Sequence, residues 1–295
     1  MQLQAKLKGK LIRYLDNGIE FLGILKSDSK NKDSMVMPLD ITNNMNEFIL
    51  HFEKLKGCLQ ANNPLIPLEN VTLLSPIKSP LQDIICLGIN YMDHAKESMR
   101  FKKESFDGKR EQAVYFGKRV NECANPNASF YINNKTSQLD YEVELVVIIG
   151  RDCMNATREN AMNFVFGYSI ANDISARDLQ LKHKQWYAGK SLEGSFPLGP
   201  CIVLRDSLNP HNLAIKSYVN GELRQQSSTS KLIFDIPHVI CELSSYFTLK
   251  AGSIISMGTP SGVGMGFEPP RFLQAGDIVK CEIENIGTLQ TFINV

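Results

Sequence analysis

No stretch of the 295 residues holds the roughly 18 uninterrupted apolar side chains that a membrane-spanning helix needs. Near the start, Lys6, Lys8 and Lys10 break the apolar run before it reaches signal-peptide length, so the chain is expected to be neither secreted nor membrane-spanning, and to work in the cytoplasm. An excess of one charge is missing too. Lys plus Arg number 32 against 31 Asp plus Glu, which leaves no broad field to attract nucleic acid or an anionic membrane and points to a small-molecule partner. The seven cysteines (58, 86, 123, 153, 201, 241 and 281) stand singly, without the paired spacing of a zinc or redox motif, as expected of reduced and mostly buried thiols. Neither a phosphate-loop motif nor the Gly-x-Gly-x-x-Gly of a dinucleotide fold occurs, and the Gly-x-Ser-x-Gly elbow of a serine hydrolase is lacking. There is no internal repeat.

What is present is ample apolar material, 43% of the chain, for a buried core. Leu11–Leu15 and Ile19–Leu25 flank Asp16-Asn17-Gly18, whose residues tolerate the positive φ of a tight turn, and this predicts a β-hairpin. Phe48, Ile49, Phe52, Leu55 and Leu59 follow at helical spacing after Asn43-Asn44, a potential N-cap. Prolines 64, 67, 76 and 80 then suggest an extended connector, with a domain boundary near residues 70–80. Beyond it strand-like runs dominate: 83–87, 143–149, 167–171, 201–204, 214–219, 253–257 and 278–283. They lack the strand-helix alternation of a doubly wound sheet, so an α+β fold on a large mixed sheet, rolled or sandwiched, is expected. The stretch from Lys96 to Arg110 is dense in charge and reads as solvated and mobile.

The sharpest chemical signal is Asp140-Tyr141-Glu142-Val143-Glu144-Leu145, leading into an apolar strand. Alternation places Glu142, Glu144, Val146 and Ile148 on one face, and two carboxylates entering a buried strand repel each other unless a cation compensates. A hard ion such as Mg2+ or Mn2+ would do so; the plainer alternative is a strand end facing water. Asp173 closes a second apolar run, where it can serve as a ligand or merely start a turn. Lys190 can neutralise an anionic substrate, although most lysines are simply solvated. Gly258-Thr259-Pro260-Ser261-Gly262-Val263-Gly264 offers backbone amides to an oxyanion, or is only a tight loop. If residues 92–99 are helical, His94 and Glu97 share a face and form a general base with its orienting carboxylate, or an exposed pair.

In this order along the chain, the sequence shows Asn-Tyr-x-Asp-His-x-x-Glu from Asn90, the Asp140–Leu145 segment, and Ala-Asn-Asp-Ile-Ser-Ala-Arg-Asp-Leu-Gln from Ala171. These are followed by Gly-Lys-Ser-Leu-Glu from Gly189, Pro-Leu-Gly-Pro from Pro197, and Gly258–Gly264. Together they resemble the fumarylacetoacetate hydrolase family from about residue 80 to the C-terminus. The resemblance implies a small N-terminal α+β domain (1–75) and a catalytic domain (76–295) with that family's mixed β-sheet roll or sandwich. It implies Glu142, Glu144 and Asp173 as ligands of Mg2+ or Mn2+, a catalytic His94–Glu97 dyad with Lys190, substrate contacts from Arg177, Gln180, Lys190, Gly258 and Thr259, and a homodimer. The implied substrate is a small anionic 2-oxo acid or 1,3-dicarbonyl compound. Residues 177–199 look most like a two-domain bacterial branch that decarboxylates or tautomerises oxaloacetate; C–C hydrolysis of an acylpyruvate or fumarylacetoacetate-like compound is the alternative. A non-catalytic binding protein on the same fold is the reading from another class. Met257 departs from the family, where many relatives carry threonine before Gly-Thr-Pro.

Overall fold

Residues 8–26, 35–57, 63–105, 108, 111–132 and 135–295 are described by the computed structural model; Cys58, Leu59, Phe106 and Arg110 lie outside them. Positive φ at Asn17 (47°) and Gly18 (81°) reverses the chain between β1 (Lys10–Asp16) and β2 (Ile19–Lys26). These strands pair from Lys10↔Leu25 to Asp16↔Ile19, the hairpin expected of that turn. β3 (Met35–Leu39) continues the ladder on β2. The helical spacing around Phe48 produces two short helices rather than one. α1 (Met45–Leu50) is capped by the Asn44 side chain on the Asn46 amide, and α2 (Phe52–Leu55) follows after His51, whose ψ of 19° breaks the run. The proline-set connector contributes β4 (Ile66–Pro67) on β3 and β5 (Thr72–Leu74) on β1.

Next come β6 (Ile84–Gly88), α3 (Met92–Lys102), β7 (Val114–Lys118), β8 (Ala128–Tyr131), β9 (Leu139–Asp140) and β10 (Val143–Ile149). β11 (Val165–Asn172), β12 (Ser175–Ala176), α4 (Arg177–Lys182), α5 (Tyr187–Lys190) and β13 (Leu198–Leu204) carry the middle of the chain. β14 (Ala214–Val219), β15 (Glu222–Ser228), α6 (Ile236–Tyr246), β16 (Ile254–Ser256), β17 (Ile278–Ile283) and β18 (Gly287–Asn294) complete it. The charge-dense stretch from Lys96 is therefore helical through Lys102, and Lys103 ends it in the left-handed conformation (φ 58°). Its buried face carries His94, Ala95, Glu97 and Ser98, too polar a set to look buried from sequence.

The main sheet runs β4-β3-β2-β1-β13-β11-β10-β16-β6-β7, with β5 beside β1; a second runs β15-β14-β17-β18-β8, and β9 pairs with β12. β1 joins β13 through Lys10↔Val203 and Leu11↔Ile202, so the N-terminal strands and the rest share one hydrogen-bonded sheet. β10 lies near the centre and is buried along its whole length. Its two faces feed different cores. Val143, Leu145, Val147 and Ile149 pack with Ile215, Val279 and other residues of the second sheet, while Val146 and Ile148 pack with Phe48, Ile49 and Phe166. This is a two-layer sandwich with α1 on its outer face. No helix among the described residues is long and apolar enough to cross a membrane.

The central strands meet closely at Gly167, where a Cβ would sit 2.4 Å from the Val203 carbonyl oxygen on β13. That atom is backbone in a sheet interior and cannot swing away. Gly167→Ala is therefore expected to lower the urea midpoint by the equivalent of about 1–3 kcal/mol. Gly57→Ala, where a Cβ meets nothing within 4 Å, should leave the midpoint unmoved. Equal midpoints for the two variants would show that β11 and β13 are not packed as described.

Candidate active site

The antiparallel register of β10 and β11 pairs Val143 with Asn172 and Glu144 with Ala171. One step beyond, the Asp173 amide donates to the Glu142 carbonyl at 2.8 Å, so these two residues face each other at the end of the ladder. Glu144, two residues after Glu142, projects to the same face. Candidate ligand oxygens of Glu142, Glu144 and Asp173 consequently lie within 4.8 Å of one another, and all three residues are buried.

Buried cations surround this cluster. The Lys190 ammonium donates to Glu142 Oε2 at 2.7 Å and to Asp173 Oδ2 at 2.6 Å, bridging the two. Arg177 places Nη2 2.6 Å from Glu142 Oε1 and donates from Nε to Asp140 Oδ2 at 2.9 Å. The Asp140 carboxylate is held in turn by the backbone amides of Gly264 and Met265. Lys118, with no exposed surface, donates to Asp173 Oδ1 at 2.5 Å and to the carbonyls of Ile174 and Ser195. Glu144 forms no ion pair among the described residues: its Oε2 accepts from Ser256 Oγ at 2.5 Å and from the Gly258 amide at 2.9 Å. Among the described residues, Asp140, Glu142, Glu144 and Asp173 thus have three cationic partners, Lys118, Arg177 and Lys190.

This imbalance shows in proton affinity. Burial, then the Asp173 and Glu142 charges, push the Glu144 carboxyl well above its ordinary value. Burial acts the same way on Glu142, but Lys190 and Arg177 outweigh it and hold that carboxyl below the usual range. Burial alone would strip the Lys190 proton, yet Asp173 and Glu142 keep it bound more tightly than usual. At Lys118 burial wins, and its pKa is lowered. The Tyr91 hydroxyl, buried in the field of Glu144, has no hydrogen-bond partner among the described residues. Three converging carboxylates, one short of positive charge, together with an orphaned hydroxyl, fit a hard divalent cation with oxygen ligands.

Glu142 and Glu144 form part of the floor of a pocket that opens to solvent and encloses about 520 Å³ including its mouth. Leu87, Ile89, Phe101, Phe116, Trp186 and Met265 supply apolar wall; Arg177, Gln180, Lys190, Thr259 and His94 supply polar groups. Trp186 reaches the wall because Gly88 has no side chain: a Cβ there would lie 2.2 Å from its ring. Ile89, with φ at 58°, is an uncommon left-handed β-branched residue. Asn90 locks the segment by donating to the carbonyls of Phe234 and Met257 and accepting from the Phe234 amide.

On α3, His94 Nδ1 lies 2.9 Å from Glu97 Oε2, and both residues are buried. Glu97 Oε1 accepts from the Gly262 amide at 2.9 Å, and Arg100 donates to the Gly266 carbonyl at 2.5 Å, so the helix is fastened to the glycine-rich loop. Met257 is fully buried, and its carbonyl rather than its side chain is what Asn90 uses. Thr259 Oγ1 donates to the Val143 carbonyl and accepts from Gln225, and the Gly258 amide is taken by Glu144, so both help to hold the floor. Sequence reasoning missed Lys118, Asp140 and Ser256. Asp140 stood in the acidic motif, but Lys118 ends an unrecognised strand and carried no signal.

The family model described as fumarylacetoacetate (FAA) hydrolase C-terminal matches residues 83–294. The chain is 42% identical over 253 residues to oxaloacetate tautomerase YisK of Bacillus subtilis (strain 168), covering 84% of this chain and 83% of that one. It is 39% identical over 238 residues to the mitochondrial oxaloacetate tautomerase fahd2 of Xenopus laevis, covering 79% and 72%. Among solved structures, a fumarylacetoacetate hydrolase (EaFAH) from psychrophilic Exiguobacterium antarcticum matches with a TM-score of 0.84 at 35% identity, covering 97% of this chain and 99% of that one.

A carboxyl with a raised pKa in the folded state binds its proton more tightly folded than unfolded. Its effect is a loss of stability as pH rises from the ordinary glutamate value of 4.5 through the raised folded value. Glu142, shifted the other way, acts only below 4.5. The melting temperature of metal-free protein should therefore fall with rising pH above that point, and Glu144→Gln should flatten the fall. The same variant should lose the rise in melting temperature that Mg2+ or Mn2+ confers on the native protein. A Glu144→Gln profile parallel to the native one would contradict the charge imbalance.

Proposed function

Because the chain belongs to the fumarylacetoacetate hydrolase family, we propose that it is a divalent-metal-dependent enzyme that interconverts the keto and enol forms of oxaloacetate, with decarboxylation of the same 2-oxo acid as an accompanying reaction. The observation that carries the proposal is that buried His94, backed by Glu97, lines the same pocket as Glu142 and Glu144, the two carboxylates that cluster with Asp173. The relatives named as oxaloacetate tautomerases support the choice of substrate. Mg2+ or Mn2+ is the ion proposed for Glu142, Glu144 and Asp173, in keeping with an all-carboxylate donor set. When bound, it would supply a Lewis acid that stabilises the negative charge developing on the substrate's 2-oxo oxygen.

The chain's own residues do the rest. His94 takes a proton from C3 at Nε2, since Nδ1 is engaged with Glu97, and the Glu97 carboxylate stabilises the resulting imidazolium. The electron pair left behind forms the C2–C3 double bond, the C2 oxygen takes up a proton from solvent to complete the enol, and His94 releases its own proton to solvent; the reverse sequence restores the ketone. Lys190 and Arg177 hold the negative floor in a state that an anionic substrate can approach. The apolar wall limits water at C3. A cytoplasmic homodimer belongs to the same proposal. The six described cysteines, all free, suit a reducing compartment.

The test is turnover of oxaloacetate by purified protein with added Mg2+ or Mn2+, followed through the decay of enol absorbance, beside acylpyruvates and fumarylacetoacetate. His94→Ala should slow tautomerisation about 10²–10⁴-fold, and decarboxylation less, because loss of CO2 needs an electron sink more than a base. Full activity in chelator-treated enzyme, or in Glu144→Ala, would overturn the proposal. Faster cleavage of an acylpyruvate than turnover of oxaloacetate would replace it with C–C hydrolysis.

A further inference from the structure

We propose that Lys102 binds the second carboxylate of the substrate and so makes the pocket selective for a dicarboxylic 2-oxo acid over a monocarboxylic one. This rests on the 2-oxo acid reading above and adds the residue that reads the far end of the molecule. His94, Ser98 and Lys102 recur every fourth residue along α3 and all line the pocket, so one stripe of the helix runs from the proposed base to the mouth. Eight residues separate His94 from Lys102, about 12 Å along the axis. Helical side chains lean toward the N-terminus, which brings the Lys102 ammonium back over the pocket toward Ser98. It lies 5.9 Å from the centre of the Trp186 ring and is half-buried.

The charge inventory singles this residue out. The other cations that line the pocket, Arg177 and Lys190, are each engaged with buried carboxylates, as is Lys118 beneath them. A second substrate carboxylate in an otherwise apolar upper pocket would have none of these to itself. Lys102 has no ion pair with any described residue, and its one recorded contact is the face of Trp186. A cation held over an indole and pointed into a pocket is ready to take an anion without first giving up another. A four-carbon dicarboxylate has its 1-carboxylate and 2-oxo group at the acidic floor and its 4-carboxylate directed toward the mouth. A 2-oxo acid with an uncharged end would meet only the apolar wall and gain nothing from the ammonium.

The test compares oxaloacetate with its 4-methyl ester in the native enzyme, Lys102→Met and Lys102→Arg. The ratio of kcat/KM for the diacid to that for the ester should collapse about tenfold or more in Lys102→Met, mainly through KM for the diacid, and recover in Lys102→Arg. Binding is read separately. Trp186 is the chain's single tryptophan, so its fluorescence reports the pocket directly. With Mg2+ present, native protein should bind malate about tenfold or more tightly than 2-hydroxybutanoate, and Lys102→Met should lose that preference. Equal losses for diacid and ester, or a malate preference that survives in Lys102→Met, would overturn the proposal. If the native protein turns over neither substrate yet prefers malate through Lys102, the catalytic reading fails while this assignment stands.

Discussion

The structure depends on a charge problem solved at the end of one antiparallel ladder. β10 and β11 bring Glu142 and Asp173 face to face, with Glu144 one pleat away, inside the protein. Isolated carboxylates at such depth would cost several kcal/mol each. Lys190 clamps two of them, Arg177 ties one to Asp140, and Lys118 holds Asp173 from below. Each cation comes from a different element, so β7, α4 and α5 are positioned by the cluster as much as they position it. Glu144, which forms no ion pair among the described residues, is the carboxyl that burial and the neighbouring Asp173 and Glu142 charges push well above its ordinary value.

Around this floor the architecture divides its labour. The sheet interior supplies rigidity, since β10 is buried on both faces and packs into two separate cores. The pocket roof comes from less regular parts: the left-handed Ile89, the locked Asn90, α3, and the tryptophan lying over Gly88. α3 is fastened by Glu97 and Arg100 to the loop 262–266, whose amides also grip Asp140. The helix that carries His94 and the anchor of Arg177 therefore share one support, so a shift of that loop would disturb the His94–Glu97 pair and the floor charge together.

Much of the site was legible because its signals were local. Alternation put Glu142 and Glu144 on one face, the apolar run ending at Asn172-Asp173 marked a strand end, and helical spacing joined His94 to Glu97. What escaped was long-range. Lys118 is 55 residues from its partner Asp173, and a lysine closing a strand looks like any solvated end. β15 and β18 were hidden because a Gln-Gln-Ser-Ser run fills the second half of β15 and Thr288, Gln290 and Thr291 interrupt the apolar residues of β18, polarity absorbed by bonds such as Gln225 to Thr259. The expected single helix over residues 48–59 failed at His51, where spacing alone could not reveal the break. Lys102 was lost in a run of charges whose helical face only the packed structure distinguishes.

The junction of β1 with β13 has a consequence for how much of the chain can be removed. β13 carries Leu198, Cys201, Ile202, Val203 and Leu204, an apolar strand whose outer side is covered by β1. Deleting the first strands would turn it into a bare, greasy edge with unpaired amides and carbonyls, the template on which sheets of separate molecules stack into aggregates. The N-terminal ladder, remote in sequence from Glu142, Glu144 and Asp173, thus acts as a cap that keeps the main sheet from recruiting copies of itself.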